Sequence, residues 1–196
     1  MLKAALRKEM LQKRLQYTAT EVNARSQQLA DRFFAFFSLQ EIKALHVFLP
    51  ISRYNEINTW YIIRKLQQNY PGIALIVPVT NLPEQTLSHY CFTATTQLAE
   101  NKWGIPEPQN AEPVAETVID MILIPLLAFD QKGHRVGYGK GFYDQFLALC
   151  RPGALKIGLS LEPPLAEITD VHAGDVVLDY AVTPEKVYAF KSDITP

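Results

Sequence analysis

Only two cysteines occur in 196 residues, Cys91 and Cys150, far apart and outside any CxxC. Neither a disulfide framework nor a cysteine zinc site can organise such a chain, and both thiols are expected buried and inert, in a reducing compartment. Charge of one sign is missing too: 19 Lys and Arg stand against 20 Asp and Glu, a net charge of −1. A coat for nucleic acid or for an acidic membrane surface needs an excess of cations, so neither partner is expected, whereas a small anion held by a few local cations stays open. No apolar run reaches the roughly 20 residues of a spanning helix; the strongest, Met121 to Phe129, is about half that. Met1 to Tyr17 is charged throughout, without the apolar stretch or small-residue cleavage site of a targeting signal, so a cytoplasmic protein is expected. The four histidines, His46, His89, His134 and His172, form no HExxH, and neither Ser52 nor Ser160 sits in a GxSxG, which leaves zinc chemistry and a hydrolase triad unsupported. His46, inside an apolar run, is expected to be a hydrogen-bonded structural residue.

What is present reads as a globular domain: 48% of residues are hydrophobic and 20% charged. Leu2, Leu6, Met10 and Leu15 predict an amphipathic first helix. A second, capped by Thr18 or Thr20, runs to about Phe37, and a third, capped by Thr59, runs through Leu66. Short apolar runs at Ala44–Leu49, Ile73–Val79, Val118–Pro125, Leu155–Leu161 and Val176–Val182 predict buried strands, with Val187–Phe190 closing the chain. Thr86–Phe92 alternates and predicts an edge or antiparallel strand, whereas Lys102–Pro113 and Leu126–Lys140 read as loops. Helices alternating with fully apolar strands predict one α/β domain over residues 1–196, a mostly parallel, mixed sheet covered by helices on both faces in a Rossmann-like three-layer arrangement.

The chemistry concentrates in Phe129–Asp144, FDQKGHRVGYGKGFYD. It follows an apolar strand and leads into a helix at Gly141–Leu149, the place where α/β sheets bind ligands. Gly137, Gly139 and Gly141 let backbone N–H groups approach a phosphate, Arg135 and Lys140 add cations, and the helix adds its positive dipole end. The glycine spacing matches neither a Walker A loop nor GxGxxG. Phe142 and Tyr143 can stack on a heterocycle, and Asp144 can hold Mg²⁺ beside a phosphate.

The stretch LIPLLAFDQKGHRVGYGKGFYDQFL (Leu123–Leu147) closely resembles the signature of the 5-formyltetrahydrofolate cyclo-ligase family. Lys3-Ala-Ala-Leu-Arg7 resembles its N-terminal KxxLR, and Glu56-Ile-Asn-Thr59 a further segment. Gly104-Ile-Pro-Glu-Pro108 resembles its IPEP stretch, and Asp175 to Asp179, with Val182-Thr183-Pro184, its acidic C-terminal segment. The resemblance implies an ATP- and Mg²⁺-dependent ring closure of 5-formyltetrahydrofolate to 5,10-methenyltetrahydrofolate in a monomer that takes only small-molecule substrates. It implies Lys140, Arg135 and Tyr143 as catalytic residues. ATP would meet Lys3, Ala4, Ala5, Leu6 and Arg7 together with Gly133, His134, Arg135, Val136, Gly137, Tyr138, Gly139, Lys140 and Gly141. The folate would meet Arg53, Glu56, Asn58, Trp103, Tyr138, Gly139, Lys140, Gly141 and Phe142, with Glu56 and Asn58 at the pterin. Asp144 and Asp175 would hold Mg²⁺, with Asp179 as the alternative to Asp175. Two competing readings are a different nucleotide-phosphate enzyme using the same glycine loop and a folate carrier without turnover.

Overall fold

The structure is a computed structural model that describes residues 1–101 and 104–190. Its helices are α1 (Lys3–Leu15), α2 (Ala19–Phe36), α3 (Trp60–Asn69) and α4 (Phe142–Leu149). The strands are β1 (Ala44–His46), β2 (Ala74–Asn81), β3 (Thr86–Phe92), β4 (Leu98–Glu100), β5 (Pro106–Pro108), β6 (Met121–Pro125), β7 (Ala128–Phe129), β8 (Arg135–Val136), β9 (Leu155–Leu159), β10 (Tyr180–Val182) and β11 (Val187–Ala189). Among the described residues, no helix is long and apolar enough to cross a membrane.

Seven strands form one sheet in the order β11-β10-β9-β6-β1-β2-β3. The five inner strands are parallel, with antiparallel β3 and β11 at the edges. Their near-continuous apolar character follows from burial on both faces. Leu45, Val47, Leu75, Val77, Met121 and Leu123 pack on Leu29 and Phe33 of α2 and Ile62, Ile63 and Leu66 of α3. The alternate residues Ala44, Ile76, Ile122 and Ile124 pack on Phe146 and Leu147 of α4. α1 lies apart, burying Leu6 and Met10 on Leu127, Ala128 and Val136 of the β7–β8 hairpin.

Local chemistry departs from the sequence expectation in four places. Thr18 does cap α2, in a reciprocal box with Glu21. Thr59 does not cap α3: its hydroxyl donates to the Phe48 carbonyl at 2.7 Å, and Asn58 Oδ1 accepts from the Trp60 N–H instead. Within the expected loops, Pro106–Pro108 pairs with Leu98–Glu100 as a short two-stranded edge where proline is tolerated, and Ala128–Phe129 pairs with Arg135–Val136. On α1 the leucine stripe is only half used. Leu2 and Leu15 are exposed while Lys3 and Arg14 are buried, held by polar partners across the chain.

Gly158, in the middle of β9, leaves room for its neighbours. A Cβ there would lie 2.6 Å from Leu126 Cδ2 and 2.7 Å from Leu178 Cδ1. Gly158→Ala is therefore expected to lower stability by about 1–3 kcal/mol through overpacking, read as a fall in the urea midpoint; an unchanged midpoint would show that the two leucines repack freely.

Candidate active site

Along the chain the inner strands run β1, β2, β6, β9, β10, but in space β2 and β6 flank β1. The order thus reverses between β1 and β6, and open α/β sheets bind ligands at the carboxyl ends of the strands beside such a reversal. A cleft of about 810 Å³ opens there, lined by Phe48, Leu49 and Ile51 after β1, Pro125 at the end of β6, the glycine turn, the first turn of α4 and one side of α1. That volume lies in the usual range for small-molecule sites, roughly 300–1,000 Å³. Pro78, Thr80, Leu82 and Leu87 from the β2–β3 hairpin add an apolar wall that the motifs did not announce.

The glycine turn is fixed from behind. Asp130, fully buried, accepts hydrogen bonds from the N–H groups of Lys132, His134 and Ile168 and from the His134 ring. Burial alone would raise its pKa, but these donors outweigh burial and hold it below the ordinary value. Gly133, at φ +82°, packs beneath Phe190, where a Cβ would come within 2.8 Å of the ring. From this base Arg135, 9% exposed, reaches into the cleft, donating to Asp144 Oδ1 at 2.6 Å and to the Val176 carbonyl. Burial pushes the Arg135 pKa down, and the Asp144 carboxylate opposes that shift. Arg7 Nε donates to the Gly137 carbonyl at 3.1 Å, and its guanidinium lies over Gly139. Lys140 is exposed at the cleft wall and makes no hydrogen bond or ion pair among the described residues.

Lys3 pairs with Asp175. Burial would raise the pKa of that carboxyl group, but the His172 N–H and the Lys3 ammonium hold it low. Glu56, 5% exposed, accepts from the Tyr138 hydroxyl at 2.5 Å and from the Ile51 N–H at 2.8 Å. Tyr143 lines the cleft, yet its hydroxyl is buried without a partner among the described residues, and burial pushes its pKa well above the ordinary phenol value. It stays neutral over the physiological range.

The cleft thus gathers Lys3, Ala4, Arg7, Arg53, Glu56, Arg135, Asp144 and Asp175 with the run Gly137 to Tyr143. It does not gather every residue named from the sequence. Asn58 faces α2, its side chain donating to Asn23 Oδ1 at 2.8 Å and its N–H to Ser26 Oγ at 2.9 Å. Leu6 and Val136 are core, Ala5 lies outside the lining, and Gly133 and His134 brace the turn from behind. Asp179 lies 2% exposed against Lys156, away from the cleft. Trp103 lies outside the described residues. Asp170 and His172 are additions to the lining that no sequence motif marked.

Asp144 and Asp175 suit a hard divalent cation. No group of three or more His, Cys, Asp or Glu able to hold a metal occurs among the described residues, so a complete protein cage is not on offer there. Mg²⁺ is commonly held by one or two carboxylates, with phosphate and water completing the shell.

His46 is fully buried as expected, but neither ring nitrogen has a hydrogen-bond partner among the described residues, and neither has either nitrogen of His89, 5.2 Å away ring to ring, whose Nε2 lies 3.9 Å from Glu116 Oε1. Burial drives the His46 pKa well down and takes His89 to about 4, against the opposing pull of Glu116. Above the ordinary value of 6.5 both states of the chain carry neutral rings. As pH falls below it, the unfolded chain binds protons first, so stability is lost from about pH 6.5 towards pH 4. The melting temperature is expected to fall across that window and to fall less steeply in His89→Gln; parallel curves would assign the acid sensitivity to other groups.

With this geometry in place, comparison with known proteins is specific. The model of the 5-formyltetrahydrofolate cyclo-ligase family matches residues 1–184. The 5-formyltetrahydrofolate cyclo-ligase of Mycoplasma genitalium is 30% identical over 169 residues, covering 86% of this chain and 90% of that protein. The Escherichia coli K12 protein of the same name is 27% identical over 183 residues, covering 90% of this chain and 97% of its own. The solution structure of Aquifex aeolicus 5,10-methenyltetrahydrofolate synthetase superposes with a TM-score of 0.82 at 26% identity, over 100% of this chain and 96% of that one.

Proposed function

The chain belongs to the 5-formyltetrahydrofolate cyclo-ligase family, and from that premise we propose that its cleft holds 5-formyltetrahydrofolate and ATP together and closes the N5-formyl group onto N10. The observation that carries this reading is the meeting, in one cleft, of a cation-rimmed glycine turn with an apolar pocket ending in the buried Glu56.

The chemical difficulty is the formyl oxygen, a poor leaving group. The γ-phosphoryl group passes to that oxygen and ADP departs. N10 then attacks the activated carbon, the C–O bond breaks, phosphate carries the oxygen away, and N10 loses its proton. Such a sequence asks a protein mainly for alignment and for neutralisation of charge as it develops. Lys3 and Arg7 approach the phosphates from α1, while Arg135 and the N–H groups of the glycine turn receive them from the other side. Lys140 supplies a mobile cation to the transferring group. Arg53, Glu56, Tyr138 and Phe142 hold the folate, Glu56 accepting hydrogen bonds from the N–H edge of the pterin. Asp144 and Asp175 would hold Mg²⁺, which would supply neutralisation of phosphate charge, beside Arg135 and Lys3.

Purified protein mixed with MgATP and 5-formyltetrahydrofolate should show the near-ultraviolet absorbance of a methenyl folate, in proportion to the ADP formed. Folate binding without that absorbance would indicate a carrier, and neither signal would return the cleft to some other nucleotide chemistry.

A further inference from the structure

Arg14 stands outside the cleft, 9% exposed in the last turn of α1, yet its guanidinium joins three of the segments that build the cleft. Nε donates to the Tyr54 carbonyl at 2.8 Å, Nη1 to the Leu126 carbonyl at 3.4 Å, and Nη2 to the Tyr138 phenol oxygen. Those acceptors belong to the turn after β1, the connection after β6 and the glycine turn. A phenol has one proton to give, and Tyr138 gives it to Glu56 Oε1, so its oxygen is left to accept from Arg14. The line of donation therefore runs one way, from Arg14 through Tyr138 to Glu56. Asn55, at φ +49°, fastens the same turn to the end of α1 by donating to the carbonyls of Arg14 and Tyr17 at 3.2 and 2.8 Å.

Charge matters here as much as aim. Burial pushes the Glu56 pKa up, and the positive charge of Arg14 is the largest influence against it, ahead of the hydrogen bonds from Tyr138 and the Ile51 N–H. A further titratable neighbour, from another element, is Tyr143 of α4, which stays a neutral phenol. Each Glu56 oxygen already accepts one bond, and an ionised carboxylate has a further acceptor site on each, the arrangement that suits two adjacent N–H donors. A protonated Glu56 would offer a donor where the ligand also has donors.

We propose that Arg14 is a positioning residue for folate recognition: acting through the Tyr138 hydroxyl, it keeps Glu56 aimed to receive the paired N–H groups of a pterin. This rests on the folate reading above and adds to it the group that sets the pocket's acceptor character.

The test is calorimetric titration of 5-formyltetrahydrofolate, and separately of a nonhydrolysable ATP analogue with Mg²⁺, into wild type, Arg14→Gln, Tyr138→Phe and the double variant. Removing Arg14 is expected to weaken folate roughly 10- to 100-fold and the nucleotide by less than about threefold, since one partner of a buried charged network has gone. The folate loss should shrink as pH rises, because the raised Glu56 pKa is overcome as the carboxylate forms. Tyr138→Phe should lose folate affinity in the same pH-dependent way, and the double variant should be no worse than the poorer single one, as a shared path requires. Equal losses for folate and nucleotide would reduce Arg14 to a strut for α1, which also carries Lys3 and Arg7. Unchanged folate affinity in Arg14→Gln, or losses that multiply in the double variant, would overturn the proposal. Should Arg14→Gln fail to fold, Tyr138→Phe decides alone: a folate loss that shrinks with pH supports the path and a pH-independent affinity rejects it. Absence of folate binding by the wild type would instead reject the folate reading itself.

Discussion

Lys140→Ala is expected to lower turnover by roughly 100- to 1,000-fold, about 3–4 kcal/mol of transition-state stabilisation, while changing 5-formyltetrahydrofolate affinity by less than about threefold. The asymmetry follows from where the side chain stands. Lys140 is exposed on the cleft wall and holds no other group among the described residues, so its removal leaves no buried charge behind and disturbs no packing. Arg135 is the contrast: 9% exposed and bonded to both Asp144 and the Val176 carbonyl, it cannot be removed without taking the charged partner from Asp144 and a donor from that carbonyl. A cation with no structural task acts only on what arrives in the cleft, and it acts most when charge peaks on the transferring phosphoryl group. Lys140→Arg should recover part of the rate, limited by the poorer fit of a planar fork to a moving point charge. Initial rates with saturating MgATP, beside equilibrium folate titration, separate the two terms. Loss of folate affinity with turnover intact would place Lys140 at the folate and away from the phosphoryl group.

The same contrast explains how much of the site could be read before the structure. Burial imposes period, so α2, α3 and the five inner strands are legible from apolar spacing alone. Strand order is not, because nothing local tells β1 that its neighbours will be β2 and β6, and the cleft lies at that reversal. A motif read as contiguous residues also claims too many of them. On α1 the cleft receives Lys3, Ala4 and Arg7, and the helix turns Leu6 into the core. Along β8 and the turn it receives Arg135 and Gly137, and alternation sends His134 and Val136 behind. Asn58 lies outside the lining for another reason: next to a helix start, its side chain is taken up by the Trp60 N–H and by Asn23. Arg14 was invisible because its three acceptors lie 40, 112 and 124 residues away.

Gly139→Ala should damage fold and site together, because two independent constraints meet at one atom. The residue sits at φ +85°, where a side chain costs about 1–2 kcal/mol. A Cβ would also lie 2.8 Å from Arg7 Nε and 2.9 Å from Arg7 Cζ. The first constraint is paid by the fold and the second by the site. Arg7 is a long side chain and can swing away, so the clash itself adds little to the loss of stability. In swinging it releases the Gly137 carbonyl and leaves the face on which the nucleotide phosphates are proposed to sit. The expected signature is a small fall in melting temperature, about 2–8 °C for a chain of this size, with ATP affinity down roughly tenfold or more. Arg7→Ala should reproduce the nucleotide defect without the thermal one. Adding it to Gly139→Ala should cost little further affinity, since the arginine has already been displaced. If Gly139→Ala lost stability but bound the nucleotide normally, Arg7 would have found another route to its ligand and the close approach at Gly139 would be packing alone.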